Sequence, residues 1–283
     1  MLSEQNQEYI STILQKIQEA EAIIVGGAAG MSAASGYNWY RDDAMFRKYF
    51  NEFAEKYGID SIFGGFYHPF RTEEEQWAYL ATLINFVADV PLGQPYKDLD
   101  KILRGKNYFI LTTNQDTQFL QVFPEEKVSA IQGNWTYLQC SRRCHDGIYP
   151  YVQEAKELCA HIEGTRIPSD MVPQCPVCGG TMELWVRSRV FLEGSKYRSE
   201  INKYHEFLVK NQTKKVLFLE LGVGQMTPMF IKEPFWNMTY NWPDAYYITI
   251  NPKDALLPKE LKDKGLAIHE DIAPVLRNLV LHM

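Results

Sequence analysis

A chain of 283 residues, 46% hydrophobic and 23% charged, can bury a full core as one large domain or as a large domain with a smaller satellite. Its formal net charge of −6 argues against a general nucleic-acid binder, which needs clustered Lys and Arg to neutralise phosphates. No apolar run approaches the roughly 18–20 residues that span a bilayer. The polar, acidic opening MLSEQNQEYI does not read as a signal peptide. The expected setting is therefore a reducing cytoplasm, where cysteines serve as metal ligands or buried thiols more often than as disulfides.

Residues 5–21 place Tyr9, Ile10, Ile13, Leu14 and Ile17 at helical spacing, which predicts an amphipathic helix. Ile23, Ile24 and Val25 then read as a short strand that breaks at a small-residue turn, GGAAGMSAASG, from Gly26 to Gly36. Between Gly36 and Lys106 lies an aromatic-rich, helix-leaning segment carrying Phe46, Tyr49, Phe50, Phe53 and Tyr57, then Trp77 to Val87. Within it, FGGFYHPF (63–70) is expected to be a turn or lid. Three further strand-like runs, NYFILTTN, KKVLFLELGVG and AYYITINPKD, each end in small or polar residues. Strands separated by helices and opening into polar loops at their C-terminal ends predict a parallel, doubly wound α/β sheet that binds its ligand at that edge.

Four segments carry candidate chemistry. The Gly26–Gly36 turn lets main chain approach a pyrophosphate, although it lacks G-x-G-x-x-G spacing and small residues also serve to pack a helix on a strand. TTNQD (Thr112 to Asp116) sets an amide and a carboxylate two residues apart at a strand end, where they can hold a carboxamide and orient a ribose, or simply cap a helix. GVGQMTP (Gly222 to Pro228) and INPKD (Ile250 to Asp254) suit a phosphate and a ribose hydroxyl; each alone is also an ordinary turn. Cys140-x3-Cys144 and, 30 residues on, Cys175-x2-Cys178 followed by two glycines match two knuckles of a tetrahedral zinc site. Four thiolates close the shell, so such a zinc is structural. His145 and His161 are possible substitute ligands, and Cys159 is expected to be a packed thiol.

Taken in order from about Ile23 to Asp271, these segments, with a glycine turn at Gly133, resemble the sirtuins. Where that family reads G-A-G-I-S-A-E-S-G-I-P-D-F-R, Ala28 to Arg41 keep Gly30, Ser32, Ala33, Ser35, Gly36 and Arg41. Tyr40 replaces the phenylalanine over the nicotinamide ring, and Trp39 stands where an Asp is common, expected to pack the loop rather than fill the pocket. Where the family reads T-Q-N-I-D, Thr112, Asn114 and Asp116 match and Thr113 replaces Gln.

The resemblance implies a Rossmann-like NAD-binding domain (1–139 and 181–283, with a helical insertion at about 42–104) and a smaller zinc-ribbon insertion at 140–180. It implies NAD as co-substrate, held by Gly27, Ala28, Ala29, Gly30, Ser32, Ser35, Tyr40, Arg41 and Thr113 on one side. Gly222, Val223, Gly224, Asn251, Asp271 and Ile272 would hold it on the other. Asp116 would bind the nicotinamide carboxamide, and Asn114 would orient the ribose or a nearby water.

Two departures narrow the activity. The family's catalytic histidine before a glycine is Gln132 here, and the F-G-E segment that pairs with an acyl-lysine peptide is absent, the chain reading ELWVRSRVFLEGSKY. Both resemble the class M sirtuins, which transfer ADP-ribose to protein. Their acceptor is a lipoyl-carrying protein related to the glycine cleavage H protein, and a partner macrodomain reverses the mark. Deacylation needs a general base, which typically contributes 10²–10⁴-fold. Gln132 cannot titrate, but it can position an acceptor or ribose through hydrogen bonds. The expected activity is protein mono-ADP-ribosylation, with a weak deacylase and a non-catalytic NAD or ADP-ribose sensor as the alternatives.

Overall fold

The computed structural model describes residues 4–283. In chain order the elements are α1 (Glu4–Glu19), β1 (Ala22–Gly27), α2 (Ala29–Ala34), α3 (Ala44–Tyr57), α4 (Ile62–Phe66), α5 (Glu73–Asp89) and α6 (Gln94–Leu103). There follow β2 (Tyr108–Thr112), β3 (Val128–Ala130), β4 (Gly133–Cys140), β5 (Ile148–Pro150), α7 (Val152–Ala160) and β6 (Met182–Val186). The chain closes with α8 (Ser195–Asn211), β7 (Val216–Leu221), α9 (Lys232–Asn241), β8 (Ala245–Ile250), β9 (Gly265–Ile268) and α10 (Ile272–His282).

Six strands form a wholly parallel sheet in the order β3-β2-β1-β7-β8-β9. β1 is fully buried, and its side chains alternate between two cores. Ile23 and Val25 meet α1, α6 and α10, whereas Ala22 and Ile24 meet α8 and α9. Burial on both faces is why the parallel strands read as near-continuous apolar runs rather than alternating ones. The strand order reverses between β1 and β7, the position at which such sheets open a crevice for a ligand. β3 and β9 are short, three and four residues, too short to show a period, and were not anticipated from the sequence.

A second, antiparallel sheet, β5-β4-β6, carries the cysteines. Its ladder runs from Gly133 to Val186, so the expected divisions at 140 and 180 fall within and beside it; paired strands cannot be divided from their partners. A third core joins this sheet to α3, α5 and α7 through Phe50, Phe53, Tyr79, Leu83, Leu138 and Leu184.

The expected turn or lid at 63–70 is instead partly helical. Ser61 caps α4 by accepting the Gly64 N–H at 3.0 Å. The Tyr79 hydroxyl donates to the Ile62 carbonyl at 2.7 Å, and the Tyr79 ring fills the space a Cβ on Gly65 would need. Two consecutive glycines suggested a break, but here the second permits close packing of α4 on α5.

Candidate active site

Loops at the C-terminal ends of β1, β2, β7 and β8 enclose a cleft of about 480 Å³, within the size range of small-molecule sites. At one end the walls are main chain. The Gly30 N–H donates to the Gly222 carbonyl at 3.1 Å, and the Gly222 N–H to the Ile250 carbonyl at 3.0 Å. A Cβ on Gly30 would lie 2.5 Å from the Gly222 Cα, and Gly222 itself has φ +68°. Only glycine at both positions allows this approach. Ala28, Ala29 and Asn251 complete this end, and the Asn251 amide donates to the Val223 carbonyl at 3.1 Å while accepting from the Lys253 and Asp254 N–H groups.

At the other end the walls are side chains. Tyr40, Phe63, Phe66, Tyr67 and Trp135 line the cleft. Tyr40 lies 4.9 Å from Phe63, and Phe63 lies 4.8 Å from Tyr67, centroid to centroid. Trp39 packs edge-on against Trp135 at 5.1 Å and Phe86 at 5.9 Å; it is buried as expected, yet part of it reaches the cleft.

Gln132 lies at this aromatic end, half-buried. Its carbonyl accepts the Arg187 N–H at 2.8 Å and the Gln115 side-chain amide at 3.3 Å. Gly133, at φ +80°, makes the tight turn, since a Cβ there would meet the Trp185 carbonyl. Arg187 also lines the cleft, its guanidinium 4.4 Å from the Phe191 centroid and donating to the Ile131 carbonyl at 3.0 Å and the Tyr197 hydroxyl at 2.9 Å. It also pairs with Glu193, and its Nε is left without a partner.

The Asn114 amide donates to the Ala28 carbonyl at 3.1 Å, the Ser32 hydroxyl at 3.2 Å and the Tyr96 hydroxyl at 3.3 Å. These contacts tie the β1 and β2 loops together. Asp116 lies behind that contact, 1% exposed. It accepts the Ser32 hydroxyl, and at 3.2 Å the Gln118 N–H. Burial pushes its carboxyl above the usual carboxylate range, partly offset by the Ser32 hydroxyl and the Gln118 N–H. Thr117, next in sequence, has φ +61°, a conformation rare for a β-branched residue, and it folds the chain back so that Gln118 reaches Asp116.

Of the remaining expected cofactor residues, Thr113 and Gly224 line the cleft. Gly27, Val223 and Ile272 are buried beneath it; a Cβ on Gly222 would stand 2.9 Å from the Ile272 side chain. The Ser35 hydroxyl donates to the Met31 carbonyl at 2.9 Å, and Arg41 and Asp271 are exposed outside the lining. Tyr40 of the aromatic wall was an expected site residue; Phe63, Phe66, Tyr67, Trp135, Arg187 and Asp254 were not singled out. Trp135 and Arg187 arrive through the pairing of β4 with β6, which leaves no local motif.

The four cysteine sulfurs lie within 4.8 Å of one another, with Cys140–Cys178 at 3.7 Å and Cys144–Cys175 at 3.6 Å. Sulfurs ~2.3 Å from a tetrahedral zinc stand about 3.8 Å apart, so the set fits that ion. His145 Nδ1 lies 3.1 Å from the Cys144 sulfur. His161 instead hydrogen-bonds the Glu157 carbonyl, and Cys159 packs against the third core.

No protein-family model matches the chain. It is 32% identical over 280 residues to a protein ADP-ribosyltransferase of Staphylococcus aureus (strain Mu50 / ATCC 700699), covering 98% of this chain and 88% of that one. Among solved structures, a Sir2 homologue in complex with NAD superposes with a TM-score of 0.58 at 17% identity, covering 96% of this chain and 93% of that one. A mutant Sir2 homologue bound to ADP-ribose gives 0.59 at 16%, covering 96% and 95%. The chain belongs to the protein ADP-ribosyltransferases and has the fold of the Sir2 structures. The transferase is NAD-dependent. It is also 28% identical over 271 residues to a probable bifunctional ADP-ribose hydrolase/ADP-ribosyltransferase of Fusarium oxysporum f. sp. cubense, covering 91% of this chain and 45% of that relative. Among the described residues of the transferase, no helix is long and apolar enough to cross a membrane.

Proposed function

We propose that the chain transfers one ADP-ribose from NAD to a protein carboxylate. The observation that carries this reading is Gln132 at the aromatic end of a cleft whose lining, among the described residues, contains no histidine. The nearby carboxylates do not serve that end: Asp116 is buried behind it, Asp254 lies at the glycine end, and Glu193 is paired with Arg187 outside the lining. A reaction that must deprotonate its nucleophile is poorly served there. A carboxylate needs no deprotonation, and the positive charge of Arg187 on the cleft lining suits its approach.

In this reading the glycine end takes the diphosphate, on main-chain N–H groups other than the paired ones of Ala28, Gly30, Gly222 and Asn251, and Asn114 keeps the two loops that flank the ribose in register. The nicotinamide–ribose bond breaks, nicotinamide leaves with the electron pair, and the acceptor oxygen bonds the same ribose carbon. Tyr40 and Phe63 shield the cationic transition state from water, and the more exposed Tyr67 meets the acceptor. The acceptor would be a lipoyl-carrying protein of the glycine cleavage H type, whose apolar arm suits this aromatic mouth. A macrodomain hydrolase would remove the mark; the hydrolase half named in the Fusarium relative supports that pairing. Cys140, Cys144, Cys175 and Cys178 would hold a zinc whose closed shell supplies fold rather than chemistry.

The test is incubation with labelled NAD and a lipoylated or unlipoylated carrier. The expected result is nicotinamide release together with a hydroxylamine-labile label on the carrier. Deacylation of an acyl-lysine peptide with no carrier labelled would point to the deacylase, and tight NAD binding without turnover would point to a sensor. Metal analysis finding about one zinc per chain, lost with fold on Cys175→Ser, checks the zinc site.

A further inference from the structure

Beneath the glycine end lies an ion pair that the reaction does not use. Lys232, at the start of α9, and Glu220, on β7, are 1% and 0% exposed, with Nζ 2.6 Å from Oε1. Glu220 also accepts the Tyr247 hydroxyl at 2.6 Å and the Thr249 hydroxyl at 2.9 Å. Burying such a pair is weak as a source of stability, since apolar side chains of similar volume serve as well or better. The pair does have an outlet toward the cleft: Lys232 Nζ donates to the Asp254 carbonyl at 3.0 Å. Asn251 grips the same loop through the Asp254 N–H at 3.0 Å. Asp254 is thus held at its own N–H and carbonyl, and its half-buried side chain lines the cleft opposite Gly224.

We propose that the buried Lys232–Glu220 pair is a positioning device that sets the Asp254 carboxylate at the glycine end, where it selects a ribose with two free hydroxyls over one carrying a phosphate. This rests on the reading that the cleft takes NAD. A carboxylate accepts hydrogen bonds from a ribose diol and repels a 2′-phosphate, the discrimination seen where an acidic residue follows a strand of a dinucleotide fold. The preceding residue, Lys253, is exposed, also lines the cleft and favours phosphate. The balance between the two nucleotides therefore depends on how firmly Asp254 is placed.

The experiment measures NAD and NADP binding calorimetrically for the full chain, for Lys232→Met combined with Glu220→Gln, for Lys232→Arg and for Asp254→Asn. The double variant removes both charges and leaves one amide oxygen to accept from one of the Tyr247 and Thr249 hydroxyls and an amide N–H to donate to the other. It is expected to melt near the parent but to lose roughly tenfold in preference for NAD, the worth of one charge-assisted hydrogen bond. Lys232→Arg should keep most of that preference, and Asp254→Asn should lose it by weakening NAD and tightening NADP. A double variant that keeps the parental NAD-to-NADP ratio overturns the proposal, as does an unchanged ratio in Asp254→Asn. A parent chain that binds neither nucleotide overturns the NAD reading itself, and an altered ratio in Asp254→Asn with an unaltered one in the double variant overturns only the positioning role.

Discussion

At the glycine end of the cleft the wall is main chain, Gly30 against Gly222, with N–H and carbonyl groups already paired between neighbouring loops. At the aromatic end the wall is side chain, Tyr40, Phe63, Tyr67 and Trp135 around Gln132, brought there by α4 and by the small sheet. The first belongs to the parallel sheet itself and leaves almost no freedom in residue type. The second is built from side chains and tolerates other residue types, so, on the function proposed above, it is where the acceptor is met. Chemistry common to a family settles where backbone geometry is decisive, and chemistry particular to one branch settles where side chains are.

Substitutions can break or sharpen that contrast. The largest effect is expected from Gly30→Ala, whose new Cβ must displace main chain at Gly222. It should cost about 3 kcal/mol of stability and abolish NAD binding, as read by thermal melting and calorimetry. If NAD binds normally, the close approach of the loops is not what forms that end. Next is Gln132→Ala, expected to slow ADP-ribosyl transfer by roughly tenfold through loss of a positioning hydrogen bond. Gln132→His should add no deacylase activity, because a restored base still lacks the peptide-pairing segment.

Asp116→Asn tests the junction between the two ends. Burial raises the Asp116 carboxyl above its ordinary range, so its contribution to stability is fully present below the unfolded-state pKa and is lost as pH rises through the folded one. The variant should therefore melt higher than the parent at neutral pH, with the advantage vanishing in acid, while transfer falls. Melting curves from acid to neutral pH that run parallel for the two proteins would show that Asp116 carries no buried charge. The smallest effect is expected at Tyr67, 62% exposed. Tyr67→Ala should change stability by no more than ~0.5 kcal/mol and raise the KM for the acceptor with kcat and the NAD affinity preserved.

The parallel sheet and the glycine end were legible along the chain because both obey local rules. Buried strands need apolar runs, loops at their ends need small or polar residues, and paired knuckles of cysteine leave a spacing that the four clustered sulfurs then satisfy. The place of Asn114 at a strand end was legible too, though its partners were not: its amide spans to Ala28, Ser32 and Tyr96, residues that only folding brings near. Short strands such as β3 escaped notice because three residues cannot display a period.

The amino-acid sequence alone thus determined the sheet, the edge at which its cleft opens, the family and a glutamine rather than a titrating group at position 132, since each depends on residue type at one place in the chain. Tertiary structure decided the rest. The aromatic wall, the stacked Arg187 and the buried Lys232–Glu220 pair unite residues from separate elements. No local rule couples such residues, because what joins them is packing across the fold rather than adjacency along the chain.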